Sequence, residues 1–202
     1  MRELKRRSRQ YAEAPALLLG RLGFSPNALT IVGSLLTASV GLMVANGWFL
    51  AAGICLWLFS ATDTLDGALA RATNRVSKFG AFLDSVCDRV AEAAVFFGLL
   101  WYYQNHADTL AVSVTYVALV GSLLVSYARA RAEGIGIEAA DSGWFQRPER
   151  IIALGLGLIA APFAPVVLLL VLVLLALLTA ATVLQRVLHV ARALQSTSHP
   201  TP

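Results

Sequence analysis

Four aspartates lie within apolar surroundings, in the run Asp63-Thr-Leu-Asp66-Gly67-Ala-Leu-Ala70-Arg71 and, eight residues later, in Gly80-Ala-Phe-Leu-Asp84-Ser-Val-Cys-Asp88. An ionised acid at the centre of a membrane helix costs about 3 kcal/mol, so four uncompensated ones would oppose insertion of both segments by roughly 12 kcal/mol. Bound cations are the simplest compensation. Carboxylates are hard oxygen ligands, and a site built from them favours Mg²⁺ or Mn²⁺.

The spacing supports that chemistry. Asp63, Asp66, Gly67 and Ala70 follow the three-and-four rhythm of one helical face, and Gly80, Asp84 and Asp88 follow the four-residue rhythm of another. Between them, residues 72–78 carry Asn74, Ser77 and two cations, which reads as a polar hairpin bringing both faces to one membrane surface. A competing account neutralises the acids with Arg71, Arg75, Lys78 and Arg89. That explains the charge but not Gly67 and Gly80, which remove side chains where something must approach closely.

The elements that hold these residues are membrane helices. The chain has 202 residues, 57% of them hydrophobic and 14% charged, too apolar for an ordinary soluble domain. Apolar stretches at about 28–45, 48–60, 90–103, 110–125, 151–163 and 166–184 predict six spans. The second, third and fifth fall short of the 20 or so apolar residues a crossing needs, so their polar ends must complete it by lining a protected cavity. The predicted fold is therefore an all-α integral membrane protein: an interfacial amphipathic segment at 1–22, a six-helix domain at 23–195 and a disordered tail at 196–202.

Six spans put all 16 Lys and Arg residues on one side, and the connections around Asn46-Gly47, 104–108 and 162–165 contain none. The positive-inside rule then assigns both termini and the acid cluster to the cytoplasmic face of the cell membrane. The basic start, Met1-Arg-Glu-Leu-Lys-Arg-Arg, is not followed by the short apolar segment and cleavage site of a signal peptide, and it is expected to stay attached. It suits anionic lipid, or a solvated tail, better than nucleic acid, because no nucleic-acid-binding module accompanies it. Cys55 and Cys87 lack metal-motif spacing and read as small apolar helix residues; His106, His189 and His199 are scattered.

The aspartate pattern resembles the signature of the CDP-alcohol phosphatidyltransferases, D-x-x-D-G-x-x-A-R, eight residues, G-x-x-x-D-x-x-x-D, with no departure at any specified position. The resemblance implies integral membrane homodimers that move a phosphatidyl group from CDP-diacylglycerol to an alcohol and release CMP. By that match Asp63, Asp66 and Asp84 are metal ligands, and Asp88 is both a metal neighbour and the candidate general base. Two divalent ions would neutralise the diphosphate and the charge developing as its bond breaks. Arg71 either holds the diphosphate with forked donors or snorkels as a cytoplasmic anchor, and Gly67, Ala70 and Gly80 leave room for the CDP group.

Cationic clusters at Arg129-Ala-Arg131-Ala-Glu133, Arg147-Pro-Glu149-Arg150 and Gln185-Arg186 fall at the same side. Their bland reading is positive-inside charge, yet the mixed signs exceed what topology requires. They are similar to the K-A-R-A-E and R-P-E-R motifs of the subgroup that makes phosphatidylinositol phosphate from inositol phosphate, with Arg129 where that subgroup has lysine. Arg129, Arg150 and Arg186, with Arg147 next, become candidates for the acceptor's phosphate. Glycerol 3-phosphate is the rival acceptor. A transporter or divalent-cation channel is the rival class, disfavoured because no second acidic set marks an exit.

Overall fold

The computed structural model describes residues 23–137, 143 and 145–198, together with Leu18 and Gly20; the Asp63 side chain and the side chains of 196–198 fall outside that description. The amphipathic segment expected at 1–22 therefore lies almost wholly outside the described residues. Among the described residues every regular element is an α-helix: α1 (Pro26–Ala45), α2 (Phe49–Ser60), α3 (Asp63–Ala72), α4 (Lys78–Asn105), α5 (Thr109–Gly134), α6 (Arg147–Ala160) and α7 (Pro165–Ser198). The last helix runs through Ser198, three residues into the stretch expected to be disordered. Contacts divide the chain into two units, 1–98 and 99–202.

In the first unit, α1 starts where Ser25 accepts a hydrogen bond from the Ala28 amide at 3.2 Å, with Pro26 at the first helical position, where its missing N–H leaves nothing unsatisfied. Asn46 caps its end and Gly47, at φ 76°, reverses the chain into α2. α1 packs on both α2 and α3. It also meets α4 at Gly41 and Gly98, where backbone lies against backbone. Val40, Val44, Ala52, Leu56, Leu69, Val95 and Phe96 are buried here.

In the second unit, Asp108 caps α5 by accepting from the Ala111 amide at 2.9 Å. α7 is the spine, packed on α5 and α6. Gly121 on α5 admits the Thr179 side chain, and Gly157 on α6 admits Val171 and Leu168. Leu154, Leu158, Leu168, Leu172 and Leu175 form the apolar interior.

Among the described residues, four stretches are long and apolar enough to cross a membrane: Pro26–Ala45, Phe49–Ala72, Thr109–Gly134 and Pro165–Gln195. Leu35, Leu42, Phe97, Leu170 and Leu177 are at least 60% exposed along the helices, as lipid-facing side chains must be. Length and composition alone thus support four of the six expected spans among the described residues. α4 has ample length at 28 residues but carries Asp84, Asp88, Arg89 and Glu92, and α6 has only 14 residues. The second span reaches its length as expected, through the polar end contributed by α3.

Candidate active site

The acids of the first motif sit at a helix start because the chain breaks at Ala61-Thr62. Helix α2 closes there, and α3 begins afresh at Asp63, so Asp63 and Asp66 occupy its first turn. The exposed N–H groups of a helix start favour negative charge. α3 ends in a Schellman motif: Asn74 adopts φ 54°, its N–H bonds to the Arg71 carbonyl at 3.2 Å, and the Arg75 N–H bonds to the Ala70 carbonyl at 2.8 Å. The polar hairpin read from the sequence is this turn, and it delivers Arg75 and Ser77. The Ser77 hydroxyl then accepts from the Gly80 amide at 2.9 Å in the first turn of α4.

These elements enclose a cavity of about 250 Å³ lined by residues of α1 (Pro26, Asn27, Thr30), α3 (Asp66, Gly67, Ala70, Arg71), the hairpin (Arg75, Val76, Ser77) and α4 (Gly80, Ala81, Asp84). Asp66 is 7% exposed. Its Oδ2 accepts from the Thr30 hydroxyl at 2.5 Å and its Oδ1 accepts from the Gly67 amide at 2.5 Å. A Cβ at Gly67 would stand 3.2 Å from an Arg71 guanidinium nitrogen, so the missing side chain admits that guanidinium. A Cβ at Gly80 would stand 3.2 Å from the Asn27 amide oxygen.

All the residues singled out for the CDP group, Gly67, Ala70, Arg71 and Gly80, are on this wall, with Asp66 and Asp84. Asp88 is not among the lining residues; it lies one turn beyond Asp84 on α4, 3.4 Å from the Arg89 guanidinium, which also donates to the Ser85 carbonyl at 2.8 Å. Arg89 thus gives Asp88 part of the neutralisation that the pairing account proposed. Among the described residues no three His, Cys, Asp or Glu side chains converge as a ready metal cluster. The expected gathering of four carboxylates is represented on the cavity wall by Asp66 and Asp84. The donor set nevertheless fits a hard divalent ion: the wall offers carboxylate, hydroxyl and amide oxygens and neither thiol nor imidazole.

Sequence reasoning overlooked Asn27, Thr30 and Arg75 as site residues. The signal for two of them was present, since Asn27, Thr30 and Ser34 recur at three- and four-residue intervals along a largely apolar span.

In the second unit, Arg150 and Arg186 are each 3% exposed, unusual for cations. The Arg186 guanidinium donates to the Val125 carbonyl and is within electrostatic reach of Arg129, Arg150 and Glu133. Arg129 Nε meets Glu133 Oε1 at 2.9 Å, one helical turn on. Gly143, at φ 98°, lies over this group: a Cβ there would be 3.4 Å from Arg186 Nε. Arg147 sits one turn before Arg150 on α6 and is half-buried. The three leading acceptor candidates are therefore neighbours, a concentration of positive charge with Glu133 beside it.

Cavity, helix pattern and motif define a class, and the chain belongs to the CDP-alcohol phosphatidyltransferase family, whose model matches residues 24–197. It is a membrane protein. Within the family it is 43% identical over 141 residues to the phosphatidylinositol phosphate synthase of Mycobacteroides abscessus, a match covering 69% of this chain and 63% of that enzyme. The chain thus matches a little under two thirds of that relative's length. Its structure is similar to the crystal structure of Mycobacterium tuberculosis phosphatidylinositol phosphate synthase with CDP-DAG bound, at a TM-score of 0.84 and 36% identity, covering 90% of this chain and 94% of that one. The same enzyme in complex with manganese and citrate gives a TM-score of 0.83 and 36% identity, over 89% and 88% of the two chains.

Proposed function

We propose that the protein transfers the phosphatidyl group of CDP-diacylglycerol to inositol phosphate, giving phosphatidylinositol phosphate and CMP. The observation that carries this reading is the cavity in which two carboxylates, Asp66 and Asp84, share a wall with Arg71 and Arg75. Opposite charges there suit a site for a metal-bound diphosphate. Asp66 and Asp84, with Asp63 beside them in sequence, are the residues that would hold Mg²⁺ or Mn²⁺, two ions in all. Bound there, the ions offset the charge that develops on the diphosphate oxygens.

The remaining roles belong to the chain. Arg71 and Arg75 orient the diphosphate by charge-assisted hydrogen bonds. Gly67, Ala70 and Gly80 keep the wall low enough for the CDP group. Asp88 accepts the proton of the acceptor hydroxyl. The hydroxyl oxygen forms its bond to the phosphatidyl phosphorus as the bond from that phosphorus to the CMP oxygen breaks, and CMP leaves with the electron pair.

Arg129, Arg150 and Arg186, supported by Arg147, receive the acceptor's own phosphate. Guanidinium groups are well suited to a phosphomonoester, because their fork matches two of its oxygens, and Arg150 and Arg186 present theirs from buried positions. Glycerol 3-phosphate presents the same group and is the second reading; the names of the similar enzymes favour inositol phosphate. A transporter lacks support, since family membership supplies a chemistry that accounts for the acids.

Six crossings accommodate this arrangement, with α4, about 42 Å long at 1.5 Å per residue, as one and α6 completing another. Positive-inside charge puts both termini and the cavity at the cytoplasmic face. The chain works as a homodimer, as the family resemblance implies. Purified protein with CDP-diacylglycerol and Mn²⁺ should release CMP with inositol phosphate and little with glycerol phosphate, serine or free inositol. Equal release with free inositol would defeat the acceptor assignment, and no metal-dependent release with any acceptor would defeat the reaction.

A further inference from the structure

Helix α1 carries no acid or base, yet it reaches both acid-bearing helices. The Thr30 hydroxyl meets Asp66 Oδ2 on α3 at 2.5 Å, and the Ser34 hydroxyl, one turn later on the same face, donates to the Cys87 carbonyl on α4 at 2.9 Å, one residue before Asp88. Thr30 Oγ also lies 3.1 Å from the Pro26 carbonyl of its own helix. A hydroxyl has one proton, and the shorter, charge-assisted contact takes it. We propose that Thr30 is a positioning residue for Asp66, whose hydroxyl fixes the carboxylate in the orientation that binds the divalent ion; this rests on the metal-dependent reaction proposed above.

The physical need is plain. The terminal torsion of an aspartate is broad and roughly two-fold, so an unsupported carboxylate samples many planes. Asp66 has one oxygen held by Thr30 and the other by the Gly67 amide, and two contacts on different oxygens define the plane of the carboxylate. Groups that hydrogen-bond a metal ligand tune its affinity, and their loss costs roughly 10- to 100-fold in metal affinity or activity. Thr30 also lines the cavity, so its hydroxyl lies at the site rather than behind a packed layer.

The test is Mn²⁺ binding to the purified, metal-stripped protein, read from the electron paramagnetic resonance signal of free Mn²⁺, alongside CMP release at varied Mn²⁺. Thr30→Val keeps the shape and removes the hydroxyl. It should weaken Mn²⁺ binding by roughly 10- to 100-fold and raise the Mn²⁺ concentration for half-maximal activity in step, with smaller loss at saturating metal. Thr30→Ser should restore binding. Thr115→Val removes a buried hydroxyl that bonds to the Ala111 carbonyl of its own helix, and should leave Mn²⁺ binding unchanged. Thermal unfolding is followed for each variant, with Thr30→Ala as a second deletion if Thr30→Val does not fold. Mn²⁺ binding as tight in the valine or alanine variant as in wild type, or as weak in Thr30→Ser as in Thr30→Val, overturns the proposal alone. Wild-type protein that neither binds Mn²⁺ nor releases CMP overturns the metal-dependent reading, and this inference with it.

Discussion

Gly98 on α4 lies directly on the backbone of Gly41 on α1, so closely that a Cβ at position 98 would stand 2.9 Å from the Gly41 Cα. The contact is reciprocal, because a Cβ at position 41 would meet the Ala94 carbonyl carbon at 2.8 Å. Small residues let membrane helices approach to backbone contact, where dispersion and weak hydrogen bonds replace the hydrophobic effect that lipid cannot supply. This crossing fixes α4, and with it Asp84 and Asp88, against the helix that carries Thr30. The clash is with backbone, so no rotamer change relieves it. Gly98→Ala and Gly41→Ala should each destabilise the folded protein by about 1 to 3 kcal/mol. Thermal unfolding in detergent measures it, with Gly134→Ala, where a Cβ meets nothing within 4 Å, as the neutral control. Unchanged melting of both variants would mean the helices do not cross here.

Asp66→Asn and Asp84→Asn each replace an anionic oxygen with a neutral amide on the wall of a cavity suited to a doubly charged ion. Since changes to residues that merely support a metal ligand already cost about 10- to 100-fold, loss of the ligand charge should lower activity at limiting Mn²⁺ by at least about 100-fold. The first-turn position of Asp66 adds a smaller effect, because its charge also stabilises the start of α3 by about 0.3 to 1 kcal/mol. Metal titrations of CMP release distinguish the two contributions: excess Mn²⁺ recovers a binding defect and not a folding one.

What the sequence disclosed was what periodicity and charge encode. The faces of α3 and α4 followed from Asp63, Asp66, Asp84 and Asp88 because three- and four-residue intervals are the geometry of a helix, and the turn between them followed from its polar residues. The contribution of α1 was hidden, since Asn27 and Thr30 are uncharged and a hydroxyl within an apolar span most often bonds to its own helix, as Thr37 and Thr115 do. The displacement of Asp88 from the cavity wall was hidden too. A four-residue interval places Asp84 and Asp88 on one face, but not at one depth, and a turn of 5.4 Å decides which of them borders the cavity. Six apolar runs were legible, but α6 is short by length and α4 is too charged along part of its length for composition alone to make either a span.

Asp88→Asn removes the candidate proton acceptor while keeping its shape and one oxygen able to accept from Arg89. General bases contribute about 10²- to 10⁴-fold, and turnover at saturating substrates should fall by that amount. Because Asp88 lies off the cavity wall and beside Arg89, affinity for CDP-diacylglycerol should change by less than about threefold, a shift under 1 kcal/mol. Isothermal titration with the lipid in detergent gives the affinity and CMP release gives the turnover. Turnover within tenfold of wild type would remove Asp88 as the base.

The arginines of the second unit divide by burial. Arg129 is 44% exposed at its side chain and is paired with Glu133 across one turn, an interaction of small worth to stability. Arg186 is buried and donates to the Val125 carbonyl, so its loss leaves that carbonyl without the partner and opens a space beside α5. Arg129→Ala should therefore raise KM for inositol phosphate by about 10- to 100-fold, the loss of one charge-assisted contact worth about 1.5 to 3 kcal/mol, with melting unchanged. Arg186→Ala should show the same acceptor defect together with a lowered melting temperature, and Arg186→Lys, which keeps the charge without the fork, should recover stability better than acceptor affinity. In every case KM for CDP-diacylglycerol should remain near the wild-type value. Equal losses for donor and acceptor would make these arginines structural or topological residues and return the acceptor to open choice.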